Sequence, residues 1–308
     1  KNRISEELSR RRFNVGAVSL HLPMILAKSR SENRDFYEVL DFYLEMIRHL
    51  HIRTYDYLGE MRASTNPLAY CEGGFYGGHL KPSDKIKPLL KPMTASFGIT
   101  ALNELQELYN GKSIREDGEF ALEVLRYIND KINQYKEEDG NLYAIYGTPA
   151  ESLCYRFARI DKEKFGSVPN ITDKGYYTNS YHIDVREDID AFQKFAFESQ
   201  FQKISSGGAI SYVEIPNMRH NTEALEDVVR FIYDNIQYAE FNTKSDYCHV
   251  CGFDGEIIIN DDGEWECPAC GNKDHALMNV TRRTCGYLGE NFWNVGKTKE
   301  IKARVLHL

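Results

Sequence analysis

Cys248-His-Val-Cys251 and Cys267-Pro-Ala-Cys270 are two CxxC pairs separated by 15 residues near the C-terminus of the chain. This spacing is typical of two turns that each present two thiolates to one tetrahedral zinc ion. Gly252 and Gly271 directly follow the pairs, where a residue that tolerates positive φ helps the backbone to wrap around a metal. Between the pairs, residues 256–266 predict a strand, an Asp-Gly turn and a returning strand. The sequence therefore predicts a zinc ribbon.

Two disulfides are the alternative use of these four cysteines. The chain has seven cysteines in 35.6 kDa, a charged fraction of 27% and no recognisable secretory leader. We therefore expect a cytoplasmic protein, in which thiols stay reduced, and this favours Zn²⁺ over disulfides. Because cysteine fills all four positions, we expect a closed, structural site, with His249 pointing outward rather than binding the metal.

Charge and hydropathy restrict the partners that we expect. The net charge is −8 and the pI about 5.7, which disfavours a nucleic-acid-binding function, because duplex binding depends on Lys and Arg contacts to phosphate. No stretch approaches the twenty or so apolar residues that span a bilayer, so we expect no membrane partner. A length of 308 residues is enough for one large domain or two smaller ones.

Outside the cysteine pairs, strand-like and helix-like segments alternate. Residues 14–23 are a compact apolar run typical of a buried strand, and helical spacing follows as far as Leu50, with Asn33 as the expected N-cap. Later segments are helix-like at 94–108, 118–137 and 221–239, and strand-like at 141–146 and 205–215. The alternation predicts an α/β architecture.

The turn Gly147-Thr-Pro-Ala-Glu-Ser152 contains the parts of an anion-binding site. It combines small residues, hydroxyls and a proline with the free N–H groups of a helix N-terminus. The residues alone favour an ordinary capping box, in which Thr148 caps the helix and Glu151 reaches back. The polar, aromatic loop Tyr176–His182 suits a nucleotide-binding loop and equally an ordinary surface loop.

The string Arg283-Thr-Cys-Gly-Tyr-Leu-Gly289, continued by Asn294-Val-Gly-Lys297, Glu300-Ile-Lys-Ala-Arg304 and His307, resembles the C-terminal tail of the anaerobic, class III ribonucleotide reductases. The resemblance extends from about residue 10 to the end of the chain. In that family a four-cysteine zinc site precedes the string, and the glycine that aligns with Gly286 becomes a stable backbone radical. Glycine suits this role because, without a side chain, the radical centre becomes planar at no steric cost. The resemblance thus implies that Gly286 is the radical residue.

The same resemblance implies two parts of a substrate site. Asn14 aligns with a family asparagine on the substrate side, after the loop that bears the catalytic cysteine. The turn at Gly147 resembles the family turn that holds the substrate's phosphates, which favours anion binding over a capping box. The implied phosphate-binding residues are Tyr146, Gly147, Thr148, Ala150, Glu151 and Ser152.

For the fold, the resemblance implies the C-terminal half of a ten-stranded α/β barrel in residues 1–240, a zinc ribbon in 241–275, and a glycyl-radical loop and tail in 276–308. The family's thiyl cysteine and its ATP-binding allosteric region precede the strand at Asn14. We therefore expect this chain, the C-terminal portion of the large subunit, to need an N-terminal part of the reductase. We expect the complete enzyme to be a homodimer.

The implied activity is the reduction of ribonucleoside triphosphates to 2′-deoxyribonucleotides. A separate activase, with a [4Fe–4S] cluster and S-adenosylmethionine, removes hydrogen from Gly286; the radical passes to the cysteine, and formate commonly serves as reductant. Two alternatives stay open: a zinc-ribbon interaction module without radical chemistry, and a glycyl-radical lyase of the pyruvate formate-lyase type. For such a lyase we expect a neighbouring cysteine pair and no ribbon. Whether di- or triphosphates are reduced stays open as well.

Overall fold

The structure, a computed structural model, describes residues 13–73, 79–284, 288–290 and 293–308. Gly286 lies outside the described residues, so its implied role stays a prediction. Around the main sheet the fold is mixed α/β, as the alternation of segments predicts.

Five parallel strands follow one another in chain order: β1 (Phe13–Ser19), β2 (Met93–Ile99), β3 (Leu142–Gly147), β4 (Ser211–Ile215) and β5 (Ala239–Thr243). The first three form one parallel sheet in the order β1-β2-β3, and β4 pairs with β5. The residues just before β4 connect the two sheets. Gly147 N–H donates to the Gly208 carbonyl at 2.9 Å, and Gly207 N–H donates to the Ile145 carbonyl at 2.6 Å.

Helices connect these strands and bury one face of the sheet. They are α1 (Leu22–Glu32), α2 (Phe36–Gly59), the short α3 (Pro67–Tyr70) and α4 (Lys87–Leu90), α5 (Leu102–Asn110), α6 (Glu119–Asp139), α7 (Glu151–Phe165), α8 (Ala191–Gln202) and α9 (Thr222–Asn235). Within the part of the chain that the structure describes, no helix combines the length and apolar character needed to cross a bilayer.

Alternation along the strands separates two faces of the sheet. Phe97 of β2 and Ile145 of β3 are completely buried in the main hydrophobic core, together with apolar residues of α2 and α6. Their neighbours Ser96 and Gly98 project from the opposite side, because successive strand residues point to opposite faces. We call this side, the one that carries Ser96 and Gly98, the polar face.

Two of the predicted element boundaries are wrong. The helix predicted over 94–108 begins only at Leu102, because β2 is the central strand of its sheet and bonds to a neighbour on each side. Pairing on both edges overrides a helical spacing of apolar residues. Asn33 is not an N-cap: it ends α1 with a left-handed φ of 50°, and the side chain of Asp35 caps α2 instead.

Short antiparallel strands form the ribbon and the segment that follows it. They are β6 (Asp246–Cys248), β7 (Asp254–Gly255), β8 (Ile258–Ile259), β9 (Trp265–Glu266), β10 (Met278–Asn279), β11 (Thr281–Arg283) and β12 (Leu288–Glu290). The last helix is α10 (Val295–Ala303). Ile301 of α10 belongs to the same buried cluster as Trp265 and Val280, so the tail helix packs on the ribbon.

Candidate functional site

The four cysteines of the CxxC pairs converge at one point of the ribbon. All four Sγ atoms lie within 4.8 Å of one another. The Sγ atoms of Cys248 and Cys270 are 3.7 Å apart, and so are those of Cys251 and Cys267. A tetrahedral zinc ion with Zn–S bonds of about 2.3 Å requires Sγ–Sγ separations of about 3.8 Å. The geometry therefore fits one zinc ion with a complete shell of four thiolates. The four cysteines are free thiols rather than disulfides.

The turns around this centre have the expected backbone conformation. Gly252 and Gly271 have φ values of 75° and 71°, in the left-handed region that glycine adopts without steric cost. The side chain of His249 is exposed and packs edge-on against Tyr247. The knuckle glycines thus close both turns as predicted.

The four thiols influence one another's ionisation. Burial raises the pKa of the Cys248 thiol, but the backbone N–H groups of Cys251 and Val250 outweigh it and lower that pKa to about 6. At Cys270 the backbone N–H of Asn272 lowers the pKa, but burial and the neighbouring cysteines raise it to about 12. Like charges this close oppose one another's ionisation. Four thiolates therefore form together only with a cation that neutralises them.

A buried ion pair fixes the ribbon to the strand that leads towards Gly286. Arg282 of β11 donates to Asp246 Oδ1 at 2.5 Å, and both side chains are buried. The Arg282 guanidinium also lies 5.4 Å from the ring centroid of Trp265. β11 pairs antiparallel with β12, and Gly286 falls between these two strands in the sequence. The four-cysteine cluster is therefore structurally linked to the string around Gly286 as far as Thr284, the last described residue before residues 285–287.

The turn after β3 lies against the end of β1. Thr148 Oγ1 and Ser19 Oγ are 2.8 Å apart and share a hydrogen bond in which either hydroxyl can donate. The Thr148 N–H donates to the Ile99 carbonyl at 3.2 Å. A Cβ atom at Gly98 would lie 2.2 Å from Thr148 Oγ1 and 2.4 Å from Ser19 Oγ. The missing side chain at Gly98 is what allows the two hydroxyls to meet at the carboxyl edge of the sheet.

The structure contradicts the capping-box alternative. The N-cap of α7 is Ala150, which offers no capping side chain, and the Thr148 hydroxyl contacts Ser19 instead. Asn179 Oδ1 accepts the Ala150 N–H at 2.9 Å. The next N–H groups of an α-helix have no intrahelical acceptor, and the positive end of the helix dipole favours an anion there. Ser152, in this first turn, is exposed.

Asn14 lies on the same face of the sheet as Ser19. A register shift between Asn14 and Gly16 places Asn14 opposite Thr94, and Ser19 opposite Gly98. The shift puts both side chains on the polar face, where Asn14 Nδ2 donates to Ser96 Oγ at 2.8 Å. Their partners Thr94 and Gly98 are four strand positions apart, so Asn14 and Ser19 are separated by roughly 13 Å along the sheet. The structure thus places Asn14 on the same face of the sheet as the turn at Thr148, but at the other end of the strand.

Sequence reasoning missed three residues that contact the predicted turn. The loop Tyr176–His182 is buried, which contradicts the surface-loop alternative. From it, Ser180 Oγ donates to the Thr148 carbonyl at 3.2 Å and Asn179 bonds to Ala150. Ser19 is the third missed residue. The Ser19–Thr148 and Asn179–Ala150 contacts join residues 129 and 29 positions apart, so local patterns carry no signal for them.

Known proteins resemble this chain over nearly all of its length. The family model described as anaerobic ribonucleoside-triphosphate reductase matches residues 1–307. The anaerobic ribonucleoside-triphosphate reductases of Escherichia coli (strain K12) and Haemophilus influenzae are each 38% identical to it, over 100% and 96% of this chain. That of Enterobacteria phage T4 is 37% identical over 100% of this chain. The chain spans 44%, 43% and 51% of these relatives, about half of their length.

Solved structures share the fold. A structure named anaerobic ribonucleotide reductase matches 94% of this chain with a TM-score of 0.66 at 20% identity, and 44% of that chain is covered. The anaerobic ribonucleotide reductase from Thermotoga maritima in complex with dATP and CTP matches 95% of this chain with a TM-score of 0.62 at 19% identity, and 46% of that chain is covered. Identities this low support the fold alone. The family-model match and the identities to the curated relatives show that the chain belongs to the anaerobic ribonucleoside-triphosphate reductase family.

Proposed function

We propose that this chain supplies the glycyl-radical residue and the substrate-phosphate turn of an anaerobic ribonucleoside-triphosphate reductase. The reaction is the reduction of ribonucleotides to 2′-deoxyribonucleotides, with formate as reductant. One observation carries the proposal: in a member of this family, a preformed four-cysteine centre is fixed through Arg282 to the strand that runs into the string around Gly286. Gly286 is the proposed radical residue.

The polar face is the proposed substrate side. Thr148 and Ser19 bring two hydroxyls together at its carboxyl edge, beside the first N–H groups of α7, which suit a phosphate. The proposed phosphate-binding residues remain Tyr146, Gly147, Thr148, Ala150, Glu151 and Ser152. Asn14 is the proposed polar contact to the substrate at the other end of β1.

The metal is proposed to be structural. Cys248, Cys251, Cys267 and Cys270 hold it, and four thiolates leave no open position for a substrate or a water molecule. When bound, the ion cross-links the two knuckles and supplies folding free energy to a segment with a small core. Asp246 connects the ribbon to β11, because its carboxylate accepts the Ile257 N–H at 2.8 Å and the Thr281 N–H of β11 at 3.1 Å.

The rest of the enzyme is proposed from the family. The five parallel strands belong to the C-terminal half of a ten-stranded barrel. The resemblance sets the end of this half at residue 240, but β5 extends it to Thr243. The ribbon follows up to residue 275, and the radical loop and tail occupy 276–308. An N-terminal part supplies the thiyl cysteine and the allosteric nucleotide site, and the complete enzyme is a cytoplasmic homodimer. A separate activase with S-adenosylmethionine and a [4Fe–4S] cluster removes hydrogen from Gly286.

Electron paramagnetic resonance tests this function. The complete reductase that carries this chain is activated anaerobically with its activase, and we expect a glycyl doublet that is absent in Gly286→Ala. Oxygen should then cut the activated backbone at Gly286, which a denaturing gel detects as a shortened chain. An active activase, shown by turnover of S-adenosylmethionine, together with a silent spectrum would sink the proposal. That result would favour the zinc-ribbon interaction module.

A lyase of the pyruvate formate-lyase type is the other alternative. Radical formation alone does not distinguish it from a reductase, so the activated enzyme is also incubated with a ribonucleoside triphosphate and formate. We expect a 2′-deoxyribonucleotide product, identified by chromatography. A glycyl doublet without any deoxyribonucleotide would contradict the reductase and leave the radical residue in place.

A further inference from the structure

We infer that Asn179 is a positioning residue for the substrate-phosphate turn and acts through the N–H group of Ala150. The inference rests on the proposed function, because it takes residues 147–152 as the turn that binds the substrate's phosphates. Residues 178–180, which carry Asn179, are called the platform loop below.

The platform loop contacts the turn at two points. Asn179 is 3% exposed, and its Oδ1 accepts the Ala150 N–H at 2.9 Å and the Cys154 thiol at 3.3 Å. Ser180 Oγ donates to the Thr148 carbonyl at 3.2 Å. Both ends of the short segment between β3 and α7 are therefore bonded to the same loop.

A buried carboxylate fixes the platform loop in turn. Glu104 Oε1 accepts the Thr178 N–H at 2.9 Å, the Thr178 hydroxyl at 2.7 Å and the Lys174 ammonium at 2.6 Å. Lys174 also pairs with Asp184 at 2.7 Å, and all three charged side chains are buried. A buried charge that loses its partner is strongly destabilising, so this cluster has few ways to rearrange. It gives the loop a rigid support.

The backbone of the platform loop also needs support. Ser180 has a φ of 44°, in the left-handed region, and Ala101, which faces the loop, has a φ of 64°. Two hydrogen bonds hold these conformations: Ala101 N–H donates to the Thr178 carbonyl at 3.1 Å, and Leu102 N–H donates to the Ser180 carbonyl at 2.9 Å. Strained residues of this kind persist only where the surroundings determine them, and they cluster at functional sites.

Asn179 decides which donors of the turn stay available to a ligand. Because its Oδ1 occupies the Ala150 N–H, an anion is left with the N–H groups of Glu151 and Ser152 and with the Thr148 hydroxyl. The same bond sets the direction in which α7 begins, and hence the point at which these donors converge. Without the acceptor, the Ala150 N–H is unsatisfied or the turn shifts to satisfy it. Among the proposed phosphate-binding residues, Ala150 thus contributes through its position, because its N–H is already donated to Asn179.

Steady-state kinetics of the complete reductase that carries this chain test the inference, with a ribonucleoside triphosphate as substrate and inorganic triphosphate as competitor. For Asn179→Ala we expect a KM and an inhibition constant that both rise about tenfold, since one misplaced hydrogen bond to a charged group is worth about a factor of ten. We expect kcat and the glycyl doublet to stay within about twofold. Tyr177→Phe is the matched control, because Tyr177 directly precedes the platform loop and its hydroxyl, which this substitution removes, donates to Asp161.

The outcomes separate the inference from the function on which it rests. If Thr148→Ala raises KM while Asn179→Ala leaves it unchanged, the inference is overturned and the phosphate turn stands. If both variants leave KM unchanged, the phosphate turn and the inference fall together. If Asn179→Ala lowers Tm and kcat but leaves KM unchanged, as a purely structural role of Asn179 predicts, the inference is also overturned. If Asn179→Ala does not fold, Asn179→Ser replaces it, because serine keeps a small polar side chain but is too short to place its oxygen where Asn179 Oδ1 accepts the Ala150 N–H: an unchanged KM overturns the inference, and a raised KM supports it.

Discussion

Gly98→Ala is the substitution for which the structure predicts the sharpest effect. Gly98 lies between the hydroxyls of Ser19 and Thr148, and an added Cβ would be 2.2 Å from Thr148 Oγ1 and 2.4 Å from Ser19 Oγ. It would also be 3.0 Å from Ser19 Cα, a backbone atom that a rotamer change cannot move. A normal van der Waals contact requires each hydroxyl to retreat by about 1 Å.

The cost follows from two terms. Forcing an extra carbon into a packed site costs about 1–3 kcal/mol, and breaking the Ser19–Thr148 hydrogen bond costs about a further 1 kcal/mol. We therefore expect Gly98→Ala to lower the free energy of unfolding by about 2–4 kcal/mol. A displacement of about 1 Å at a binding turn also costs up to about a hundredfold in rate, so the complete reductase should lose activity even where it remains folded.

Urea unfolding of the chain, loaded with zinc, measures the stability term. Gly16→Ala is the matched control, because an added Cβ on Gly16 of β1 meets no atom within 4 Å and its φ is not left-handed. We expect Gly16→Ala to be neutral or to stabilise by up to about 1 kcal/mol. In a background where Ser19 and Thr148 are both alanine, Gly98→Ala should cost less than half as much, since the close hydroxyls are gone. Equal stability of Gly98→Ala and Gly16→Ala would refute the packing of this turn.

Further expectations concern the metal and the tail. Metal analysis should find one zinc ion per chain. The Cys251→Ser variant should release the ion to a chromogenic chelator far faster than the control Cys71→Ser, whose thiol lies outside the ribbon. Equal release rates would contradict the four-thiolate centre. Arg304→Met should lower the free energy of unfolding by about 3–5 kcal/mol. The reason is that Arg304 pairs with Glu214 at 2.8 Å and with Glu300 at 3.1 Å, and all three side chains are buried. A loss below about 1 kcal/mol would show that water reaches these carboxylates. Burial lowers the pKa of His307 to about 4, and its Nδ1 accepts the Glu214 N–H at 2.9 Å. In the unfolded chain the pKa of His307 is near 6.5. Between about pH 6.5 and 4 the unfolded chain therefore binds a proton that the folded chain does not bind, and the free energy of unfolding falls as the pH drops through this range. His307→Gln should flatten this slope by up to about 3 kcal/mol in urea unfolding at pH 7 and pH 4, and an unchanged slope would contradict the neutral, buried ring.

The element types were largely predictable, and the exception has a clear cause. The helix α6, the strand β3 and the ribbon carry strong local signals: a sustained apolar stripe, a short apolar run and two CxxC knuckles. β2 was mistaken for the start of a helix because its spacing is ambiguous when no neighbour is considered. β1 and β3 settle it by bonding to both edges of β2. Pairing partners 80 and 48 residues away, at Asn14 and Leu142 opposite Thr94, are invisible to a local window.

The candidate site also has a part that local sequence predicts and a part that depends on long-range contacts. The cysteine spacing was sufficient for the metal centre, because each knuckle is a local turn. The phosphate turn was proposed through resemblance, yet its local pattern favoured a capping box that the structure contradicts. Thr148 turns to Ser19 because Gly98 leaves room between them, and Ala150 is bonded by Asn179.

By itself, the sequence determined the two CxxC knuckles, the α/β class and the string around Gly286, since these depend on residue type and on spacing within one turn or one element. Only the tertiary structure decided which side chains meet at the carboxyl edge of the sheet. The register shift at Asn14 turns that residue to the polar face, and the buried Lys174–Glu104 pair holds the loop that positions Ala150. Such contacts depend on strand register and on buried charges that find partners across 70 residues or more, and no short stretch of sequence encodes them.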